Sequence, residues 1–192
     1  MMRTLRDMPA AAWLLAVAAL MVTQGLVLYA YGQPPICTCG TVRLWVGTVL
    51  GPENSQQITD WYSFSHIIHG MGFYFLLWLI APRAPVLARL ALAVGLEVGW
   101  EILENTPFII ERYRQQALAQ GYVGDSILNS LSDTVCAIIG FWLARLLPVR
   151  GSVALVVALE VFVGVMIHDN LTLNIIQLIH PIPAISAWQA GG

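Results

Sequence analysis

Three short runs carry groups able to do chemistry. His66 and His69 stand three residues apart in Trp61-Tyr-Ser-Phe-Ser-His-Ile-Ile-His-Gly70, so on a helix they share a face. Glu97, Glu101 and Glu104 follow at spacings of four and three, which lines three carboxylates along one helical stripe. Asp125, Asn129 and Asp133 are each four apart and form another stripe. Imidazoles and carboxylates on facing helices are the ligand set of zinc hydrolases and of carboxylate-bridged di-metal bundles. A divalent metal ion, zinc or another, would offset the repulsion among the carboxylates. It would also lower the pKa of a bound water to make a nucleophile. In that scheme His66, His69, Glu104 and Asp125 are the candidate metal ligands, and Glu101, Asn129 and Asp133 the candidate catalytic groups. Arg112 and Arg114, in Glu111-Arg-Tyr-Arg114, are candidate substrate-binding groups for a phosphate or an acidic lipid headgroup. Gly121-Tyr-Val-Gly124 then leads into a helix, whose N-terminal amides favour an anion.

Each group also has a plainer reading. The imidazoles can simply hydrogen-bond across helices. The glutamates can pair with Arg, stay protonated as interhelical glue, or relay protons. Asp125 is as well placed to cap a helix as to hold a metal. Glu111 with Arg112 reads as a solvated pair, and Asp169-Asn170 as a helix terminus. The chain contains no His-Glu-x-x-His, Glu-x-x-His, Gly-x-Ser-x-Gly or P-loop, and its four His are too few for a His-box desaturase.

The elements that must position these groups are helices in a bilayer. The 192 residues are 58% hydrophobic and only 10% charged, whereas a soluble domain carries about 25% charged residues. The expected fold is all-α, one polytopic transmembrane helix bundle spanning residues 1–192 as a single domain. About five spans are expected, at 10–30, 63–81, 86–104, 126–147 and 152–167. A short C-terminal apolar segment, 171–179, meets Pro181 and Pro183; it is too short to cross and lies at the interface or re-enters. The first stretch is about 20 residues, longer than a signal-peptide apolar region of about 7–15, so it reads as a retained helix. A net charge of −2 argues against a nucleic-acid partner, and all nine basic residues are Arg.

Arginine placement orients the bundle. With the N-terminus cytoplasmic, Arg3, Arg6, Arg83, Arg89, Arg145 and Arg150 face inward and only Arg43, Arg112 and Arg114 face outward, as the positive-inside rule requires. The expected location is the bacterial cytoplasmic membrane. Loops 32–62 and 107–124 then face outward, with Trp45, Trp61, Tyr62, Tyr113, Tyr122 and Trp188 as interfacial anchors. The alternation of helix direction puts His66, His69, Glu101, Glu104, Asp125, Asn129 and His168 in the outer half of the membrane. At about 1.5 Å per residue, Glu97 and Asp133 lie roughly 10–14 Å deeper than the helix ends. A polar basin opening outward is the inference, with the 86–104 and 126–147 stripes facing each other.

Other features are weaker. Cys37 and Cys39 flank Thr38; a bridge between them closes a very tight ring, so they are expected to pair elsewhere or stay reduced, with metal or redox chemistry as the functional alternative. Cys136 reads as a small packing residue. Gly95 and Gly99 match the small-xxx-small pattern of close helix packing. Glu160 should turn inward, since lipid exposure is costly.

The quoted runs, together with Glu53-Asn-Ser-Gln56, Trp100-Glu-Ile-Leu-Glu-Asn-Thr-Pro-Phe-Ile-Ile-Glu-Arg-Tyr-Arg114, Gly124-Asp-Ser-Ile-Leu-Asn-Ser-Leu-Ser-Asp133 and His168-Asp-Asn-Leu-Thr-Leu-Asn174, resemble a family of small bacterial membrane proteins defined as a domain of unknown function. The likeness runs from the Cys-x-Cys loop to Trp188-Gln189 and departs at His168, where Arg is expected. It implies membrane location and several spans, and carries no activity with it. The 126–147 helix also resembles the Asp/Asn-rich helix of VanZ-like proteins, again without carrying a function over.

The leading reading is a metal-assisted hydrolase or transferase acting on a lipid, phosphate-bearing or envelope substrate at the outer leaflet. The alternative is an accessory or assembly subunit with a membrane protein partner, in which the stripes are interhelical hydrogen bonds. A proton or ion pathway ranks last, because the inner half offers little beyond Glu160.

Overall fold

Prolines and small polar side chains set the helix ends. In the computed structural model, which describes residues 7–191, eight helices follow one another: α1 (Ala10–Ala30), α2 (Ser63–Ile80), α3 (Val86–Glu104), α4 (Pro107–Arg114), α5 (Ile127–Leu146), α6 (Val149–Ile167), α7 (Leu171–Ile179) and α8 (Pro183–Gln189). Arg3 and Arg6, counted in the orientation argument, lie outside the described residues. Pro9, Pro85 and Pro148 occupy the N-caps of α1, α3 and α6. The two helices that sequence reasoning leaves in loops are α4 and α8. The former starts with Pro107 at its first turn and a Thr106 cap that accepts the Ile109 N–H, a pairing well suited to helix entry.

Helices α1, α2, α5 and α6 are long and apolar enough to cross a membrane by length and composition. The fifth expected span, α3, has the length at 19 residues but carries Arg89, Glu97, Glu101 and Glu104. It holds the centre of the bundle against α1, α2 and α5, with Glu97 and Glu101 fully buried. The flanking helices α1 and α6 present mostly apolar, exposed side chains such as Leu15, Leu26, Val157 and Val165, the outer surface of a helical membrane bundle.

The tightest seam joins α2 to α5. A Cβ on Gly70 would stand 1.8 Å from the Ala137 carbonyl oxygen, and one on Gly140 would stand 1.9 Å from that of Ile67. No side chain fits there, and the two backbones touch. The expected pair Gly95 and Gly99 makes no such seam: a Cβ at Gly95 would meet only Leu20 at 3.9 Å, and one at Gly99 nothing within 4 Å. Spacing of small residues marks a smooth face but does not say which partner uses it.

Polar and apolar cores are layered. Leu77, Leu90, Ala93, Val94, Val98 and Phe141 fill one end, with the Arg89 guanidinium 5.5 Å over the Tyr74 ring. The other end holds the histidines and carboxylates and is roofed by the 31–62 segment. That segment satisfies the first turn of α5: Ile127 and Leu128 donate their N–H groups to the Pro34 and Pro35 carbonyls at 2.9 and 3.1 Å. The cap is Ser126, whose hydroxyl accepts the Asn129 N–H. Asp125 is therefore not the cap, and the amides expected to receive an anion are already taken.

Two further expectations resolve here. Glu160 does turn inward; its carboxylate accepts the Leu171 and Thr172 N–H groups, both at 3.1 Å, and so caps α7 after the left-handed turn at His168. Cys37 and Cys39 are joined to each other by a disulfide, with Cα atoms 5.2 Å apart, contrary to the expectation that the tight ring would keep them unpaired. A turn in which Gly40 N–H donates to the Cys37 carbonyl folds the chain back far enough to close it.

Candidate metal centre

The α2–α5 seam sets the depth of α2, and α2 sets the imidazoles. His66 Nδ1 lies 2.5 Å from Glu97 Oε1 and 3.2 Å from Glu101 Oε1, and its Nε2 lies 3.8 Å from Asp133 Oδ2. His69 Nδ1 lies 3.2 Å from Glu97 Oε2. One helical turn of α2 thus meets two turns of α3 on one side and α5 on the other. Ligand atoms of His66, His69 and Glu97 lie within 4.8 Å of one another, and so do those of His66, Glu101 and Glu104.

The surroundings hold these groups in place. Ser63 donates its hydroxyl to Asp133 Oδ1 at 2.9 Å. Ser130 donates to Glu101 Oε2 at 2.6 Å. Gln24 of α1 in turn donates to Ser130 Oγ at 2.6 Å and accepts from the Thr134 hydroxyl at 2.8 Å. The other Glu101 oxygen, Oε1, is buried with no hydrogen bond. Carboxylates outnumber imidazoles two to one among Glu97, Glu101, Glu104, Asp133, His66 and His69. Such an excess of buried acid is costly unless a cation or protons offset it.

A cavity of about 590 Å³ opens over this cluster. His66, His69, Glu104, Asp125 and Asp133 contribute to its polar lining, while Leu50, Phe73, Trp100, Leu118, Val123 and Ile175 supply apolar walls. Among the described residues, neither Arg nor Lys lines it.

The remaining sequence candidates fall outside the metal-ligating groups. Asp125 also lines the cavity but is tied to Asn105, which donates to Oδ2 at 2.6 Å and accepts the Asp125 N–H at 2.7 Å. Tyr122 donates to its Oδ1 at 2.9 Å. Burial pushes the Asp125 carboxyl up to about 6, with these two donors opposing. Burial and the neighbouring carboxylates also raise Tyr113 and Tyr122 well above the ordinary phenol range, so both stay donors at neutral pH. Asn129 turns away from the cavity, donating to the Gln57 carbonyl at 2.8 Å. The structure does not bring Arg112 or Arg114 to the cavity. Arg112 donates to the Leu178 and Ile179 carbonyls at the end of α7, at 2.8 and 3.1 Å, and Arg114 donates to the Tyr122 carbonyl at 2.7 Å.

Residues 28–191, a stretch that includes every group just described except Gln24, match the family described as "Protein of unknown function (DUF2585)". The chain belongs to this family. Relatives extend the match over nearly the whole length. The chain is 53% identical to a UPF0314 protein of Sphingopyxis alaskensis, over 94% of its own residues and 95% of the relative's. It is 51% identical to UPF0314 proteins of Rhizobium etli, over 93% of this chain and 92% of that one, and of Brucella anthropi, over 92% and 90%. No solved structure matches. The family description assigns no activity.

Several residues at the site are underweighted by sequence reasoning. Glu97, the deepest of its stripe, touches both imidazoles. Asn105 organises Asp125, and Gln24 and Ser130 organise Glu101. The signal for Gln24 is present, a lone amide in an otherwise apolar span, but its partner is 106 residues away.

Proposed function

We propose that this family member is a metal-dependent hydrolase or transferase of the membrane, acting on an amphiphilic lipid or envelope substrate. The observation that carries the reading is the convergence of two imidazoles and the α3 carboxylates at an apolar-walled cavity. His66, His69 and Glu97 would hold a divalent ion. Such an ion supplies a water acidic enough to act as a nucleophile. Glu101 and Glu104 stand where they would complete the metal's coordination or take the proton of that water. Asp133, held by Ser63, would orient His66 from its far nitrogen. The walls suit an acyl or prenyl chain. With no Arg or Lys among the described residues of the lining, a phosphate would be met there by the metal rather than by a guanidinium. The Arg distribution favours an N-terminus in the cytoplasm and a cavity opening at the outer face of the cytoplasmic membrane.

Metal analysis of the protein purified in mild detergent tests the reading. Stoichiometric divalent metal that disappears in both His66→Ala and Glu97→Ala supports it. Protein that stays folded, holds no metal and takes up none of zinc, manganese, iron or magnesium overturns it. The accessory-subunit reading would then stand, favoured by the Gln24–Ser130–Thr134 network, which satisfies its own polar groups.

A further inference from the structure

We infer that Cys37 and Cys39 form a thiol–disulfide exchange site, with a dithiol protein or small dithiol as its partner. The bridge encloses a single residue, Thr38. A disulfide stabilises mainly by restricting the unfolded chain, and that effect shrinks with the logarithm of loop length. So short a loop gains little, and the bridge ties no distant elements together. Its surroundings fit exchange instead.

The two sulfurs are unequal. Cys39 is exposed, whereas Cys37 is 2% exposed. An incoming thiolate reaches only the Cys39 sulfur. The Cys39 backbone N–H lies 3.2 Å from Cys37 Sγ and donates to it, so the sulfur that leaves is the one already provided with a donor for its charge. Glu53 Oε2 is 3.9 Å from Cys39 Sγ and disfavours a resident thiolate there. That charge is partly met by Arg43, 3.3 Å from the other Glu53 oxygen. Gln57 donates to Cys39 Sγ at 3.4 Å and to Glu53 at 2.8 Å, and its own Oε1 accepts the Arg43 N–H at 2.7 Å, which fixes the loop around the reacting sulfur.

The steps balance as ordinary exchange. The partner's thiolate bonds to Cys39 Sγ, the Sγ–Sγ bond breaks, and its electron pair leaves on Cys37 as a thiolate. The partner's second thiolate then attacks its own sulfur in the mixed disulfide and releases Cys39. The partner is oxidised by two electrons to a disulfide, and Cys37 and Cys39 end as the reduced pair.

Thiol labelling of the full chain in detergent, equilibrated in glutathione buffers of graded reducing strength, tests this. Buried Cys136 reports unfolding in the same sample. Cys37 and Cys39 should become labelled in glutathione while Cys136 stays protected. With oxidised glutathione, Cys37→Ser should collect a mixed disulfide on Cys39, and Cys39→Ser should leave Cys37 unmodified. A bridge that resists reduction until Cys136 is also labelled is a structural staple and overturns the inference. Equal glutathione uptake by both variants overturns the assignment of the attacked sulfur. Should either variant fail to fold, the wild-type reduction alone still decides between exchange site and staple.

Discussion

His66 Nδ1 lies 2.5 Å from Glu97 Oε1, and Glu101 Oε1 faces the same nitrogen from 3.2 Å. One ring nitrogen carries at most one hydrogen. The imidazole therefore serves Glu97 and leaves the Glu101 oxygen buried without a hydrogen bond. A cation seated among these atoms would satisfy the orphaned oxygen and the surplus negative charge together.

Divalent metal is expected to stabilise the bundle through this site. At a free concentration about 100 times Kd the gain is about 2.7 kcal/mol, read as a rise in the thermal midpoint in detergent over the chelated protein. His66→Ala and Glu97→Ala should lose that rise. Glu97→Ala should also destabilise the metal-free protein by about 1–3 kcal/mol, because it takes the carboxylate from half-buried His69 and leaves His66 Nδ1 only the longer contact to Glu101 Oε1. A metal-induced rise that survives in Glu97→Ala would place the ion elsewhere.

Gly70→Ala should disturb stability and site together. Its Cβ would meet the Ala137 carbonyl at 1.8 Å, so α2 must move off α5 and carry His66 and His69 with it. Overpacking of this kind costs about 1–3 kcal/mol or more. Gly99→Ala, whose Cβ meets nothing within 4 Å, is the control. Denaturation of both variants checks the contrast, and equal losses would contradict it.

Stability should fall as pH rises from about 4 to about 6 in the part contributed by Asp169. Burial raises this carboxyl from 3.8 to about 6, against hydrogen bonds from the Asn170 N–H, Tyr62 and Gln189. The folded state thus holds the proton more tightly than the unfolded state. The stabilisation is complete below the unfolded value and is lost by the time pH passes the folded one, a change of about 3 kcal/mol. Asp125, also raised to about 6, contributes with the same sign. The difference between wild type and Asp169→Asn across this window isolates the Asp169 share, and a wild-type excess growing with pH would refute it.

Gln24→Leu should weaken the α1–α5 contact by about 1–3 kcal/mol. It removes the donor to Ser130 and the acceptor for Thr134 and leaves the Thr134 hydroxyl without that partner. Because Ser130 holds Glu101, metal affinity should fall as well. Unfolding and metal titration on one preparation check both effects; an unchanged affinity would uncouple α1 from the site.

The helical bundle and the inward stripes are legible in the sequence because both are periodic. Apolar runs of about 20 residues report length against bilayer thickness, and spacings of three and four report a shared helix face. His66 with His69 and Glu97 with Glu101 follow from that periodicity alone. Partnership across space is not periodic. Gln24 meets Ser130 from 106 residues away, and Arg112 reaches α7 rather than the cavity. Asp125 yields the cap to Ser126, and loop carbonyls consume the α5 amides. Depth within the bundle decided the rest. The Gly70–Gly140 seam places α2 against α5, and that placement makes Glu97, rather than the outermost carboxylates of the stripe, the residue that both imidazoles touch.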